Sequence, residues 1–141
     1  MYKLDRFTKA QEDVYQTALA EIKSGRKQTH WMWYIFPQIK GLGRSQTSES
    51  YGIASLSEAK AYLNDELLGN RLVEISSALL ELETADALAV FGNPDNLKLK
   101  SSMTLFVCAD PCNHVFQAVI DKFFQGKYCE KTLRLLKSES H

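Results

Sequence analysis

The stretch HWMWYIFP, His30 to Pro37, decides the fold class. Six consecutive large apolar side chains, Trp31 to Phe36, carry no clear period. Their aromatic content favours a strand, but a strand must find a partner for its backbone groups. Only the segment from Leu105 to Cys108 could serve as that partner, so the aromatic run reads as a short helix from Thr29 to Phe36. Pro37 ends it, because the residue before a proline is pushed out of helical geometry. With this segment helical, no convincing strand is left in the chain. The predicted fold is all-α, a compact multihelical single domain of about six to seven helices over residues 1–141.

The flanking segments agree. Phe7, Ala10, Val14, Tyr15, Ala18 and Ile22 recur every three or four residues, with Thr8 and Gln11 as a capping box and Gly25 as terminator, which predicts one first helix. Ser55 and Glu58 repeat the cap signal ahead of Ala59, Tyr62 and Leu63. Leu68, Leu72, Ile75, Leu79 and Leu82 then form a stripe ending near Glu83, so two helices meet near Asn64-Asp65. Asp95 is the expected cap of a helix carrying Leu99, Met103 and Phe106. Asn113 is the expected cap of one carrying Phe116, Val119, Ile120 and Phe123, closed by Gly126. A last short helix holds Thr132, Leu133 and Leu136.

A chain of 141 residues, 45% hydrophobic and 11% aromatic, can build one substantial core. Seventeen basic residues balance seventeen acidic ones, which leaves no footprint for bulk nucleic-acid binding. The longest apolar run is far too short to span a membrane, and the N-terminus MYKLDRFTKAQED lacks the apolar stretch of a signal peptide. A soluble, cytoplasmic protein is expected. Three cysteines, Cys108, Cys112 and Cys129, are too few for a secreted disulfide framework and read as reduced thiols.

The string HWMWYIFPQ, followed by GLG, Ser45 and Tyr51 and later by FGNPDNLKLKSSMTLF, resembles a widespread bacterial family catalogued only as domain of unknown function 1810. The resemblance extends from Phe7 and Ala10-Gln11 through Leu68-Gly69 and Arg71-Leu72 to FFQGKYCEKTL. It implies a compact all-α fold and no established activity. Some members carry the label calpastatin, but this chain has none of the long disordered repeats of that inhibitor. The family tends to place Asp where this chain has Cys129, which exchanges a good helix cap for a poor one.

Several residues could carry chemistry. His30 stands at the head of the aromatic segment, where an imidazole could act as acid or base; alternatively it is a structural histidine fixing the turn. Among the aromatics, Trp33 is the candidate to meet a flat ring, while the others are expected in the core. Gln38 to Ser48 is the strongest site candidate: Gly41 and Gly43 allow positive φ, and backbone amides with Lys40, Arg44, Ser45, Thr47 and Ser48 could converge on an anion. The string matches neither G-x-x-x-x-G-K-[ST] nor G-x-G-x-x-G, so no standard nucleotide fingerprint is present. An ordinary surface turn is the competing reading.

Lys98 precedes Ser101 and Ser102 by three and four residues, so on a helix an amine could activate a hydroxyl. Solvated lysines and serines bonded to the preceding turn are the simpler account. Arg71 could meet Glu74, Asp65 or an anionic ligand. The order C-x₃-C-x-H of Cys108, Cys112 and His114 fits no common zinc spacing, even with Cys129 as fourth ligand, so no metal site is expected. No redox cofactor is implied, and the residues identify no other.

The resulting expectation is a protein that binds a small phosphorylated or nucleotide-like metabolite and possesses, at most, a hydrolytic or group-transfer activity. His30, Ser101 and Ser102 are the catalytic candidates; Trp33, Gln38, Gly41, Gly43, Arg44, Ser45 and Lys98 are the binding candidates. The alternative is a non-enzymatic interaction or homodimerisation module that uses the aromatic segment.

Overall fold

The computed structural model describes residues 3–43 and 45–139. Among them are ten helices rather than six to seven, and no strand: α1 (Asp5–Gln11), α2 (Tyr15–Lys23), α3 (Met32–Ile35), α4 (Gln46–Tyr51), α5 (Leu56–Asn64), α6 (Glu66–Leu80), α7 (Ala87–Phe91), α8 (Asp95–Ala109), α9 (His114–Phe124) and α10 (Glu130–Glu139). The extra helices come from one break and two short turns. The first predicted helix is divided at residues 12–14, and α4 and α7 are pieces too brief for a periodic pattern to reveal.

Gln11 ends α1 as a buried polar residue. Gln11 is 1% exposed and does not serve as a cap partner for Thr8, which lies inside α1. Its Nε2 donates to the Tyr34 carbonyl at 2.7 Å and to the Tyr62 hydroxyl at 3.0 Å, and its Oε1 accepts from Arg71 Nη1 at 3.3 Å. One buried amide thus joins α1 to α3, α5 and α6.

Predicted caps form at α5 and α9. Ser55 Oγ accepts from Glu58 N, while Glu58 Oε1 accepts from Ala54 N at 2.6 Å. Asn113 Oδ1 accepts from Val115 N, and α9 ends where Gln125 turns left-handed with φ 53° and Gly126 follows at φ 75°. Asp65 caps α6 through Leu67 N and Leu68 N, so α5 and α6 meet where the sequence indicated. Asp95 is different: it is the first residue of α8, Pro94 occupies the cap position without a side-chain bond, and the Asp95 carboxylate serves two lysines.

The two 15-residue helices, α6 and α8, organise the packing. Both α5 and α9 lie against each of them, α2 packs on α6, and α7 and α10 pack on α8. One apolar cluster runs through all of these elements. Every residue from Ser101 to Phe106 is buried, so α8 has no solvated face over these residues. The expectation of solvated serines beside an apolar face is corrected here: Ser101 and Thr104 do bond back to Leu97 O and Lys100 O, but from inside the protein.

Gly69 marks the tightest approach between helices. A Cβ built there would stand 2.1 Å from the carbonyl oxygen of Leu63, a backbone atom that cannot rotate away. Gly69→Ala therefore forces α5 from α6, and urea denaturation is expected to show a loss of about 1–3 kcal/mol or more.

Candidate functional site

The aromatic segment is positioned by a residue outside it. The Glu21 carboxylate on α2 accepts from Gln28 N at 2.7 Å, Thr29 N at 3.0 Å, Thr29 Oγ1 at 2.6 Å and Trp31 Nε1 at 2.9 Å. Burial opposes ionisation of this group. The Thr29 hydroxyl, the two backbone amides and the Trp31 indole outweigh burial and hold its pKa down at about 2, from an ordinary 4.5. Nothing local in the sequence marks Glu21, because its partners lie seven to ten residues along the chain and meet it only after the turn at Gly25 forms.

Beyond that turn the segment forms one helical turn, Met32–Ile35, shorter than the predicted Thr29 to Phe36. Trp31, Met32, Ile35 and Phe36 are buried, and the Trp31 and Phe36 rings pack against Phe91. Most of the aromatic run is therefore core and offers little free surface for docking. Trp33 and Tyr34 are half-buried, and Tyr34 meets the Tyr51 ring edge-on at 5.3 Å.

A cleft opens at this point, lined by Trp33, Gln38, Leu42, Gly43, Ser48 and Tyr51. Its floor is the end of the aromatic segment; its roof is the glycine loop with α4. Lys40 N donates to Ile53 O and Ile53 N to Gln38 O, both at 2.8 Å, in a single parallel bridge that closes the base of the roof. Arg6 pins the far end, donating to Ser50 O and Gly52 O at 2.9 Å while pairing with the buried Glu58 at 3.1 Å. Between these anchors α4 buries no residue, and Ser45 caps it by accepting from Ser48 N. The space enclosed is about 20 Å³, room for one water molecule.

Lys98 approaches Trp33 from α8 and is not among the residues that line the cleft. Its ammonium lies 4.7 Å from the centre of the Trp33 ring and 3.5 Å from Asp95. Asp95 also pairs with Lys27 at 3.0 Å, and Lys27 in turn lies over Trp31 at 4.9 Å. The start of α8 is thus fastened to both tryptophans through one carboxylate.

The remaining candidates divide. Gly41, with φ 104°, approaches Leu135 of α10 rather than the cleft, and His30 is exposed just ahead of α3, its carbonyl accepting from the Tyr34 hydroxyl. Arg44 lies outside the described residues. Ser101 faces away from Lys98, bonded to Leu97 O and 3.3 Å from the Cys129 sulfur, in a second groove. Ser102 is fully buried, and its hydroxyl has no partner among the described residues. Although the three share a helix face by spacing, Lys98 lies on Trp33 and Asp95, Ser101 on Leu97 O and the Cys129 sulfur, and no bond joins Lys98 to either serine among the described residues. Arg71 takes neither Glu74 nor Asp65: it stacks on Tyr15 at 4.9 Å and bonds Gln11, while Glu74 accepts from the Tyr15 hydroxyl. That bond, added to burial, raises the Tyr15 pKa. Among the described residues no three His, Cys, Asp or Glu side chains converge as a metal site, and no helix is long and apolar enough to cross a membrane.

The Glu21 anchor sets a pH dependence. A depressed carboxyl pKa stabilises the fold above the ordinary carboxylate range, and that contribution is lost as pH falls from about 4.5 through about 2. Glu21→Gln keeps an acceptor but loses the charge. Its expected cost near neutrality is about 1 kcal/mol, at the low end for charged hydrogen bonds because solvent screens the group. Denaturation curves at stepped pH should show the difference from the native chain shrinking over that acid interval.

The comparisons agree with this architecture. A family model described as protein of unknown function, DUF1810, matches residues 1–136. The crystal structure of the conserved hypothetical protein Rv1873 from Mycobacterium tuberculosis is similar, with TM-score 0.95 and 44% identity, over 96% of this chain and 97% of that one. No curated protein matches the chain. The chain belongs to the DUF1810 family of proteins of unknown function.

Proposed function

We propose that this protein binds a small anionic metabolite, phosphorylated or nucleotide-like, in the cleft between the aromatic floor and the glycine-loop roof. The observation that carries the reading is the convergence of Trp33, Gln38 and Gly43 on one cleft, with the Lys98 ammonium resting on the Trp33 ring beside it. Such a site offers an indole and an amide for orientation, a cation for charge and a glycine where backbone can approach closely. A Cβ on Gly43 would meet Ser48 Oγ at 2.4 Å, so this is also a position where the roof tolerates no side chain.

The enclosed volume limits what the present conformation can hold. About 20 Å³ admits a water, whereas sites for drug-sized ligands run from about 300 Å³ upward. A metabolite must therefore widen the cleft, and the part of the roof with the fewest packed side chains is the largely exposed run from Gln46 to Ser50, Tyr51 being packed on Phe7 and Tyr34. His30 is exposed ahead of α3 and is not among the residues lining the cleft, so hydrolysis or group transfer with His30 as acid or base would need a ligand that extends beyond the cleft. Ser101 and Ser102, placed elsewhere, are not part of this reading.

Tryptophan fluorescence tests it directly, because Trp31 is fully buried and Trp33 is not. Titration with inorganic phosphate, sugar phosphates, nucleotides and ADP-ribose should change the emission of the native chain but not of Trp33→Phe. Thermal unfolding should show the same ligand stabilising the native chain by about 2.7 kcal/mol at a hundredfold over its Kd, with Lys98→Gln weakening the effect. No response to any member of the panel would overturn the reading.

A further inference from the structure

The groove that receives Ser101 has its own chemistry, distinct from the proposed metabolite cleft. It runs between α8 and the start of α10, encloses about 670 Å³ and is lined by Leu97, Lys100, Ser101, Lys127, Tyr128 and Cys129, among others. Cys129 is half-buried at its base, immediately before α10. Its backbone is fixed: Cys129 N donates to Thr104 Oγ1 at 2.9 Å, and that hydroxyl donates to Lys100 O at 2.8 Å. The sulfur is therefore held in one place by α8.

Donors surround that sulfur. Ser101 Oγ lies 3.3 Å away, its one proton shared between the sulfur and Leu97 O, and the backbone N–H groups of Lys131 and Thr132, in the first turn of α10, point at it. Thr132 stands beside them. It is fully buried, its hydroxyl lies on the side of the Cys129 sulfur, and Oγ1 has no hydrogen bond of ordinary geometry among the described residues. A buried hydroxyl left without a partner is destabilising. An ionised sulfur, or an oxygen carried on it, would supply the missing acceptor.

We propose that Cys129 is a modification site, a reactive thiol that hydroperoxides convert to a sulfenic acid whose oxygen takes up the surplus donors of Thr132 and the α10 amides. The thiolate attacks one oxygen of the peroxide, an S–O bond forms, and the O–O bond breaks. Hydroxide leaves and is protonated to water; sulfur loses two electrons and the peroxide gains them. Burial opposes the charged sulfur, yet Ser101, Thr132 and the two amides more than offset it and hold the thiol below its ordinary pKa. Lys100 and Lys127 line the groove, neither paired with a carboxylate among the described residues, and are set against the Glu130 carboxylate that lines it too.

The other two cysteines provide internal controls. Cys112 is exposed, so accessibility alone would make it react first; Cys108 is half-buried, and burial pushes its thiol up. The full chain is treated with hydrogen peroxide in the presence of a dimedone-type sulfenic-acid trap, and each cysteine peptide is quantified by mass spectrometry. In parallel, iodoacetamide alkylation rates are measured for each cysteine as pH is lowered from 8 to 6.

Cys129 should be trapped and alkylated several-fold faster than Cys112 at neutral pH, with the alkylation advantage widening as pH falls. Ser101→Ala, checked for an unchanged circular dichroism spectrum, should slow Cys129 and leave Cys112 unaffected; Thr132→Val is the second variant, with the same expectation. A Cys129 rate no faster than that of Cys112, or one indifferent to both substitutions, would overturn the proposal.

Discussion

The carboxylate of Glu21 sets the path of the chain out of α2, and the placement of both tryptophans depends on it. Four donors from residues 28–31 close on one side chain, so a segment with no regular secondary structure acquires a single conformation. The Trp31 indole can be wholly buried because its N–H has Glu21 as a partner. With Trp31 fixed, the single turn of α3 follows at a set angle, and Trp33 is delivered to Lys98. The Lys27–Asp95 pair secures the same geometry from the side of α8. The Lys27 side chain is 7% exposed and that of Asp95 21%, so this ion pair is largely out of water and its alignment matters more than that of the surface pairs.

What could be read from the sequence was what depends on neighbours along the chain. The Ser55 and Asn113 caps, the α5/α6 junction and the leucine stripe of α6 are local, and each appears where its pattern stands. The break between α1 and α2 was not legible, because the helical period runs through it from Gln11 to Ile22, and the contacts that bury Gln11 lie 23, 51 and 60 positions away. For the same reason the aromatic helix is one turn long: its preceding residues are engaged by Glu21 instead of helical bonds. Helix α8 misled in another way. Its serines and threonine suggest a solvated face, yet they are small enough to let α5, α9 and α10 crowd around it, with most hydroxyls answered by the preceding turn or by Cys129.

The candidate site was partly legible for a similar reason. An aromatic run ending in Pro-Gln and two nearby glycines marks a place where core gives way to constrained backbone, and Trp33, Gln38 and Gly43 do line one cleft. The contribution of Lys98 depends on how α8 docks, and helical spacing alone grouped it with Ser101 and Ser102. Docking separates them: Lys98 goes to Trp33, Ser102 to the interior and Ser101 to the groove at Cys129. Sequence proximity on a helix indicates a shared face only to within its angular period, and a helix buried on several sides presents each residue to a different neighbour.

The cleft and its roof differ in how firmly they are built, and that difference bears on any ligand reading. The floor consists of side chains packed against Phe91 and tied to Glu21 and Lys98. The roof between Lys40 and Ser50 has an N-cap at Ser45, an exposed Lys40–Glu49 pair at 3.7 Å and no residue of α4 in the core. Exposed pairs contribute about 0–1 kcal/mol, and local opening follows the number of buried contacts that must be broken. The two ends, by contrast, are held by backbone bonds to Ile53 and by the Arg6 guanidinium. Tyr51, the last residue of α4, packs on Phe7 and Tyr34, so the roof is tied to the floor at that end, and the weakly held part is the largely exposed run from Gln46 to Ser50. Of the two sides of the cleft, the floor is the one whose conformation Glu21 has already set.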